Sequence, residues 1–231
     1  PAVTTEVERF FINPSVTWRP SADTSLTVIG NYQRDPFSGF YGGVPASGSL
    51  FARNFGNGLF GRLPVNFYDG DRNIERSDRT QGSISYLFDH RFNDNIRFHS
   101  AGRYLRTEGD YRSVFTTLDD AVNTPFATGP LLGRSIGGSR VDIDAWTFDN
   151  NVVASFDTGF IAHTALVGVD HRTFDTRTLG TPFPRTTSLN ALTPNNAMNL
   201  AFPAFTSDAR ISAAQTGVYF QDQMKVDGFV L

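Results

Sequence analysis

Cysteine is absent from this 231-residue chain, which removes disulfide frameworks, thiolate metal sites and cysteine nucleophiles together. Lysine is nearly absent as well, Lys225 standing alone against nineteen arginines. The net charge is −3, and the arginines are scattered instead of clustered, so no basic field for nucleic acid exists and none is expected as a partner. No apolar run approaches the length of a membrane-spanning helix, and the hydrophobic fraction is 39%. His90, His99, His163 and His171 lack metal-ligand spacing and read as lone polar residues. Asp142 and Asp144 share one strand face, and Asp69, Asp71, Glu75 and Asp78 crowd a loop base, but no closing glutamate of a calcium loop follows. These are expected to be solvated loop carboxylates. No catalytic residue, metal ligand or resident cofactor is therefore assigned, and the chain is read as a non-enzyme.

What is present is alternation. Six segments place apolar and polar residues at period two for eight or more positions. In 10–19 the even positions are Phe10, Ile12, Pro14, Val16 and Trp18, and the odd ones are Phe11, Asn13, Ser15, Thr17 and Arg19. Because successive strand side chains point to opposite faces, such a strand suits a wall with lipid on one side and a polar lumen on the other. Low hydropathy is compatible with this, since only every second residue need be apolar. Aromatics make up 13% of the chain, with 22 Phe, which is high for a soluble sandwich.

The predicted strands pair as hairpins: 10–19 with 25–34, 79–89 with 95–106, and 145–157 with 163–172, followed by 214–225. Tight polar turns close each hairpin, as at Pro20-Ser21-Ala22-Asp23 and Asp157-Thr158-Gly159. Long loops over 35–78, 107–139 and 173–210 separate the hairpins, longer than connections inside a compact soluble domain. Short turn and long loop in strict rotation is the asymmetry of outer-membrane barrels. Trp18, Tyr32, Tyr86, Tyr104 and Trp146 fall where aromatic girdles would sit. Arg19, Arg79, Arg97 and Arg103 lie on polar faces and are expected to pair with Asp89, Asp149 and Asp157. The chain opens at Pro1 without a leader and stops at Phe229-Val230-Leu231 as an eighth strand begins, so a fragment is expected.

The segment Gln215-Thr216-Gly217-Val218-Tyr219-Phe220-Gln221-Asp222-Gln223 resembles a strand of TonB-dependent siderophore receptors of the ferrichrome-receptor type. Segments 12–20, 85–94, 163–170 and, more weakly, 189–194 are similar in the same order. The resemblance implies an all-β fold, an antiparallel transmembrane β-barrel of about 22 strands, of which about seven to eight are present here. Residues 1–231 would form the central part of that barrel, with the N-terminal plug domain and the C-terminal strands outside them. It further implies the cell outer membrane of a Gram-negative bacterium, with outer-membrane lipid around the wall. The TonB energy-coupling system would act through the plug.

The implied function is uptake of a ferric siderophore, hydroxamate-like, as transported ligand and not as cofactor. In the segment 36–45, Tyr41 falls on a pocket tyrosine of the family, while Gly43 stands where a tryptophan would be. In 113–117, Phe115 keeps one pocket ring and Thr117 lacks the other. Tyr41, Phe40 and Phe115 are accordingly the candidate ligand-binding residues, rings that offer apolar surface without competing for iron. Two other readings stay open from the residues alone: a passive porin-type barrel, and a soluble carbohydrate-active β-protein.

Overall fold

The computed structural model describes residues 6–38, 43–56, 58–117 and 126–230. Its strands in chain order are β1 (Val7–Ile12), β2 (Ser15–Ser21), β3 (Thr24–Ser38), β4 (Arg53–Asn54), β5 (Phe60–Gly61), β6 (Arg76–Arg91) and β7 (Ile96–Thr116). They continue with β8 (Phe126–Thr128), β9 (Leu131–Thr158), β10 (Ile161–Gly180), β11 (Arg185–Asn190), β12 (Ser207–Val226) and β13 (Phe229–Val230). One antiparallel sheet runs β1-β3-β6-β7-β9-β10-β12-β13, with β2 on β3 and with β8 and β11 on β9. Neighbours in sequence are neighbours in space, so the wall is an up-and-down meander, and its seven principal strands with an eighth beginning agree with the alternation.

Register keeps the two faces separate. Val28, Tyr86, Gly102, Phe148, His171 and Thr216 form one row across six strands. Phe98, Val152, Val167 and Phe220 form another on the same face. No second layer covers this apolar face among the described residues: Val16 is 71% exposed, Ile84 57% and Val218 80%. A two-layer soluble sandwich would have buried them. A Cβ on Gly102 would lie 3.0 Å from Phe148 Cδ1 and inside the Tyr86 ring, so the missing side chain lets both rings lie across the strand. The opposite face carries Asp89, His99, Asn151, Gly168 and Tyr219 as a row. There the Tyr219 hydroxyl donates to Asp149 at 2.9 Å.

The ion pairs differ from those expected. Asp35, 1% exposed, accepts from Arg9 at 2.6 Å and from Arg79 at 2.8 Å, tying the first strand to the wall. Arg103 faces Ser85 and Thr147 instead of an aspartate, and Asp89 takes His99 at 2.8 Å. Period-two reading assigns a face correctly, but a partner depends on register, which only the pairing fixes.

Much of what reads as loop is strand. β7 runs ten residues past 106, β9 starts fourteen before 145, and β10 and β12 also extend at the same end. Above the row of Tyr104 and Trp146 the face that was apolar turns charged: Arg106 pairs with Glu108 at 2.8 Å, Asp110 with Arg112 at 2.9 Å and with Arg140 at 3.2 Å, and Arg177 with Asp208 at 2.8 Å. With both faces wet, alternation disappears while the backbone ladder continues, so hydropathy misses these extensions.

The buried core lies beyond the apolar band, at the long-loop end. Phe55, Leu63 and Phe67 from the loop around β4 and β5 pack with Phe126, Leu132, Leu189 and Ala191. Phe55 and Phe126 meet edge to face at 5.8 Å, and Arg53 stacks over Phe126 at 3.9 Å. At the other end the turns are short; Gly159 takes φ +68° between β9 and β10, a conformation that a Cβ would strain.

Candidate functional site

Ligand-type features gather on the polar face at the long-loop end. Phe115 comes from the extension of β7, where its Cα partner is Ser135 of β9. It is half-buried and meets Phe183, from the segment linking β10 to β11, with ring centroids 5.8 Å apart and planes at 59°. Phe183 is 54% exposed. Its seat is made by Gly137: a Cβ there would stand 2.5 Å from Phe183 Cδ1 and 2.7 Å from Thr181 Oγ1. Thr181 in turn accepts from the Gly138 amide at 2.8 Å, fixing the segment against the sheet. Two tilted rings therefore form a partly exposed apolar step set in a polar rim of serines and threonines.

Of the three residues singled out from sequence, Phe115 takes this position. Phe40 and Tyr41 lie outside the described residues. Phe183 was missed because it stands in a Pro- and Thr-rich stretch with no periodicity; the signal available was the Gly137-Gly138 pair, which marks a close approach but not by what. A groove of about 480 Å³ at the short-turn end is lined by Arg19, Asp23, Asp89, Arg97 and His99 among others, and its walls mix these charged groups with small polar and apolar residues. The aromatic step suits an apolar-shelled ligand better, since ring faces supply most of the burial energy in such sites.

Beneath the step, the carboxylates expected to be solvated are instead enclosed. Asp69 and Asp71 are 1% and 0% exposed, and Glu75 is half-buried. Asp69 Oδ2 accepts from the Thr116 amide at 2.9 Å and its hydroxyl at 2.6 Å. Asp71 accepts from the amides of Asn73 at 3.0 Å and Met198 at 2.8 Å. Glu75 Oε1 accepts from the Val114 amide at 2.8 Å and from Ser113 Oγ at 3.2 Å. Arg134, buried at 1% exposure, donates to the carbonyls of Asp69, Gly70 and Thr187. Burial raises the Asp69 carboxyl, against its Thr116 hydrogen bonds, and raises Glu75 to about 7, against bonds from Val114, Ser113 and the Asp71 backbone. These residues sit on no period-two stretch, so sequence offered no sign of their enclosure. Among the described residues no group of three or more His, Cys, Asp or Glu side chains is placed to hold a metal ion.

Residues 17–231 match the family described as TonB dependent receptor-like, beta-barrel. The chain is 29% identical over 232 residues to the ferrioxamine receptor of Yersinia enterocolitica, covering 97% of this chain and 31% of that protein. It is 30% identical over 241 residues to the ferrichrome outer membrane transporter/phage receptor of Escherichia coli strain K12, covering 96% and 32%. The closed form of the ferric-catecholate import receptor Fiu from K12 E. coli superposes with a TM-score of 0.78 at 18% identity, over 98% of this chain and 33% of that one. The chain thus spans about a third of the length of these relatives, which are named as receptors and transporters. On the family match and the open antiparallel wall together, this chain belongs to the TonB-dependent receptor β-barrel family.

Proposed function

We propose that residues 1–231 are a central wall section of an outer-membrane receptor that imports a ferric siderophore of hydroxamate-like chemistry, energised by TonB through a plug domain outside these residues. The observation that carries this reading is the Phe115–Phe183 step on the polar face of a two-sided wall. In this reading the apolar face meets outer-membrane lipid of a Gram-negative cell and the polar face lines the lumen. The interval from the Phe156–His163 row to the Trp146–Thr173 row supports it. Those ten residues span about 33 Å along the strand, or about 25 Å of membrane depth at an ordinary barrel tilt. Charge then resumes on the outer face, as the aqueous boundary requires. The long-loop end is extracellular, so Phe115 and Phe183 meet ligand before any plug contact, joined by Phe40 and Tyr41 as further ligand-binding residues.

The relatives named for ferrioxamine and ferrichrome support the hydroxamate class. In the full-length receptor, Phe115→Ala and Phe183→Ala should each weaken retention of the bound ferric hydroxamate by roughly tenfold, the loss of one well-packed ring contact. The measurement is equilibrium binding of radiolabelled ferrioxamine B, ferrichrome and a ferric catecholate to outer-membrane preparations. Retention of the catecholate alone, or of none, would overturn the ligand class, and unchanged affinity in both variants would remove the aromatic step from the site.

A further inference from the structure

The enclosed carboxylates beneath the aromatic step present an electrostatic imbalance. Asp69, Asp71 and Glu75 bring three potential negative charges into one knot, and Arg134 supplies the facing cation. Two excess negative charges taken out of water are costly in a low-dielectric site, and the usual relief is that one carboxyl keeps its proton. The knot also has an orphan: Asp69 Oδ1 is buried without a hydrogen-bond partner. It is tight, because a Cβ on Gly70 would come within 2.7 Å of both Glu75 Oε1 and the Tyr68 hydroxyl.

Its connections reach across three elements. The loop preceding β6 carries Tyr68, Asp69, Asp71 and Glu75. β7 answers with Ser113, the Val114 amide and Thr116, groups that do not titrate in the neutral range, and β9 answers with Arg134. The segment before β12 is sewn on by Met198 to Asp71 and by Asn196 Nδ2 to the carbonyls of Tyr68 and Gly70, at 2.9 and 2.8 Å. Ser113, Val114 and Thr116, which the carboxylates hold, flank Phe115 in sequence.

We infer that this knot is a proton-operated latch: a proton held at Glu75 keeps the loop of residues 43–75 docked on the ends of β7 and β9 and joined to the 195–198 segment, and loss of that proton releases it. The direction follows from linkage. Docking raises Glu75 from an ordinary 4.5 to about 7, so the docked loop holds its proton more tightly than the free loop. The stabilisation is full below the free value and is lost as pH rises through the docked value. Opening therefore increases between about pH 5 and 7 and levels off above. No bound ligand is required, so the latch stands or falls independently of the import reading.

The test is hydrogen exchange by mass spectrometry on the full-length receptor in detergent micelles, from pH 5.5 to 8.5, with rates corrected for intrinsic exchange. The wall peptide 96–106 serves as internal reference. Exchange of peptide 66–78 should quicken by about tenfold from pH 5.5 to 7.5 and then flatten, while the reference stays level. Glu75→Gln keeps the Oε1 acceptor without a titrating proton and should make the 66–78 peptide slow and pH-independent. A flat wild-type profile overturns the latch, and this arm needs no variant to fold. A wild-type slope that survives in Glu75→Gln overturns the assignment to Glu75.

Discussion

Val167→Arg is expected to destabilise the assembled receptor by about 2–4 kcal/mol, the cost of a cationic side chain at the middle of a bilayer on the lipid face of a barrel. Val167 lies in the row Phe98, Val152, Val167, Phe220, midway between the aromatic rows that bound the apolar interval, and is 52% exposed. Its Cα partners Phe220 and Val152 and its neighbours along β10, Ala165 and Val169, offer an arginine no acceptor, and the diagonal Asp222 and Asn150 are already engaged, by His163 and Ser100 at 2.7 Å each. The side chain must reach toward an interface or draw water inward. Gln221→Arg is the matched control, one residue along β12 from Phe220 and on the polar face, and should change stability by less than about 0.5 kcal/mol. Denaturant titration of both full-length variants in lipid vesicles, followed by the heat-dependent mobility shift of a folded barrel, measures the difference. Equal stabilities would mean that the apolar face is covered by protein, and the membrane orientation proposed above would fail.

The second large effect falls on the long-loop end. Arg134→Met should loosen the loop of residues 43–75 by about 3–5 kcal/mol, the range for removing one partner of a buried charged group. The methionine fills much of the volume but leaves the carbonyls of Asp69, Gly70 and Thr187 without their donor. It also strips the cation from beside Asp69, Asp71 and Glu75, leaving the enclosed carboxylates without a compensating positive charge. The wall below is stitched by its own ladder and should keep its denaturation midpoint. Limited proteolysis of intact cells displaying the receptor should cut within residues 43–75 in the variant and spare the parent. A loop as resistant as the parent's would show that the apolar cluster of Phe55, Leu63 and Phe67 suffices without the knot.

The wall was legible where its two sides face different media. Val28, Ile84, Phe148 and Val218 announce themselves at period two because one face is apolar and the other wet, and all four lie on the apolar face. Short turns marked by Asp157-Thr158-Gly159 and its counterparts fixed the meander. Past Tyr104 and Trp146 the same ladder runs on between charged residues, and there the pattern fades although the strand does not. Of the candidate ring residues, Phe115 emerged from a family resemblance and found its partner in space, whereas Phe183 lies nearly seventy residues away in a stretch with no pattern to read.

Composition and alternation alone determined that this chain has no thiol and makes a one-layer, two-faced antiparallel wall, because strand geometry imposes a local period that any reader of the residues can recover. Tertiary structure decided which charges meet, which ring covers Gly137, and that Asp69, Asp71 and Glu75 are shut in with Arg134 instead of bathed in solvent. Burial and pairing are sums over residues distant along the chain, so a local pattern carries no trace of them until the long loops fold back onto the strand ends.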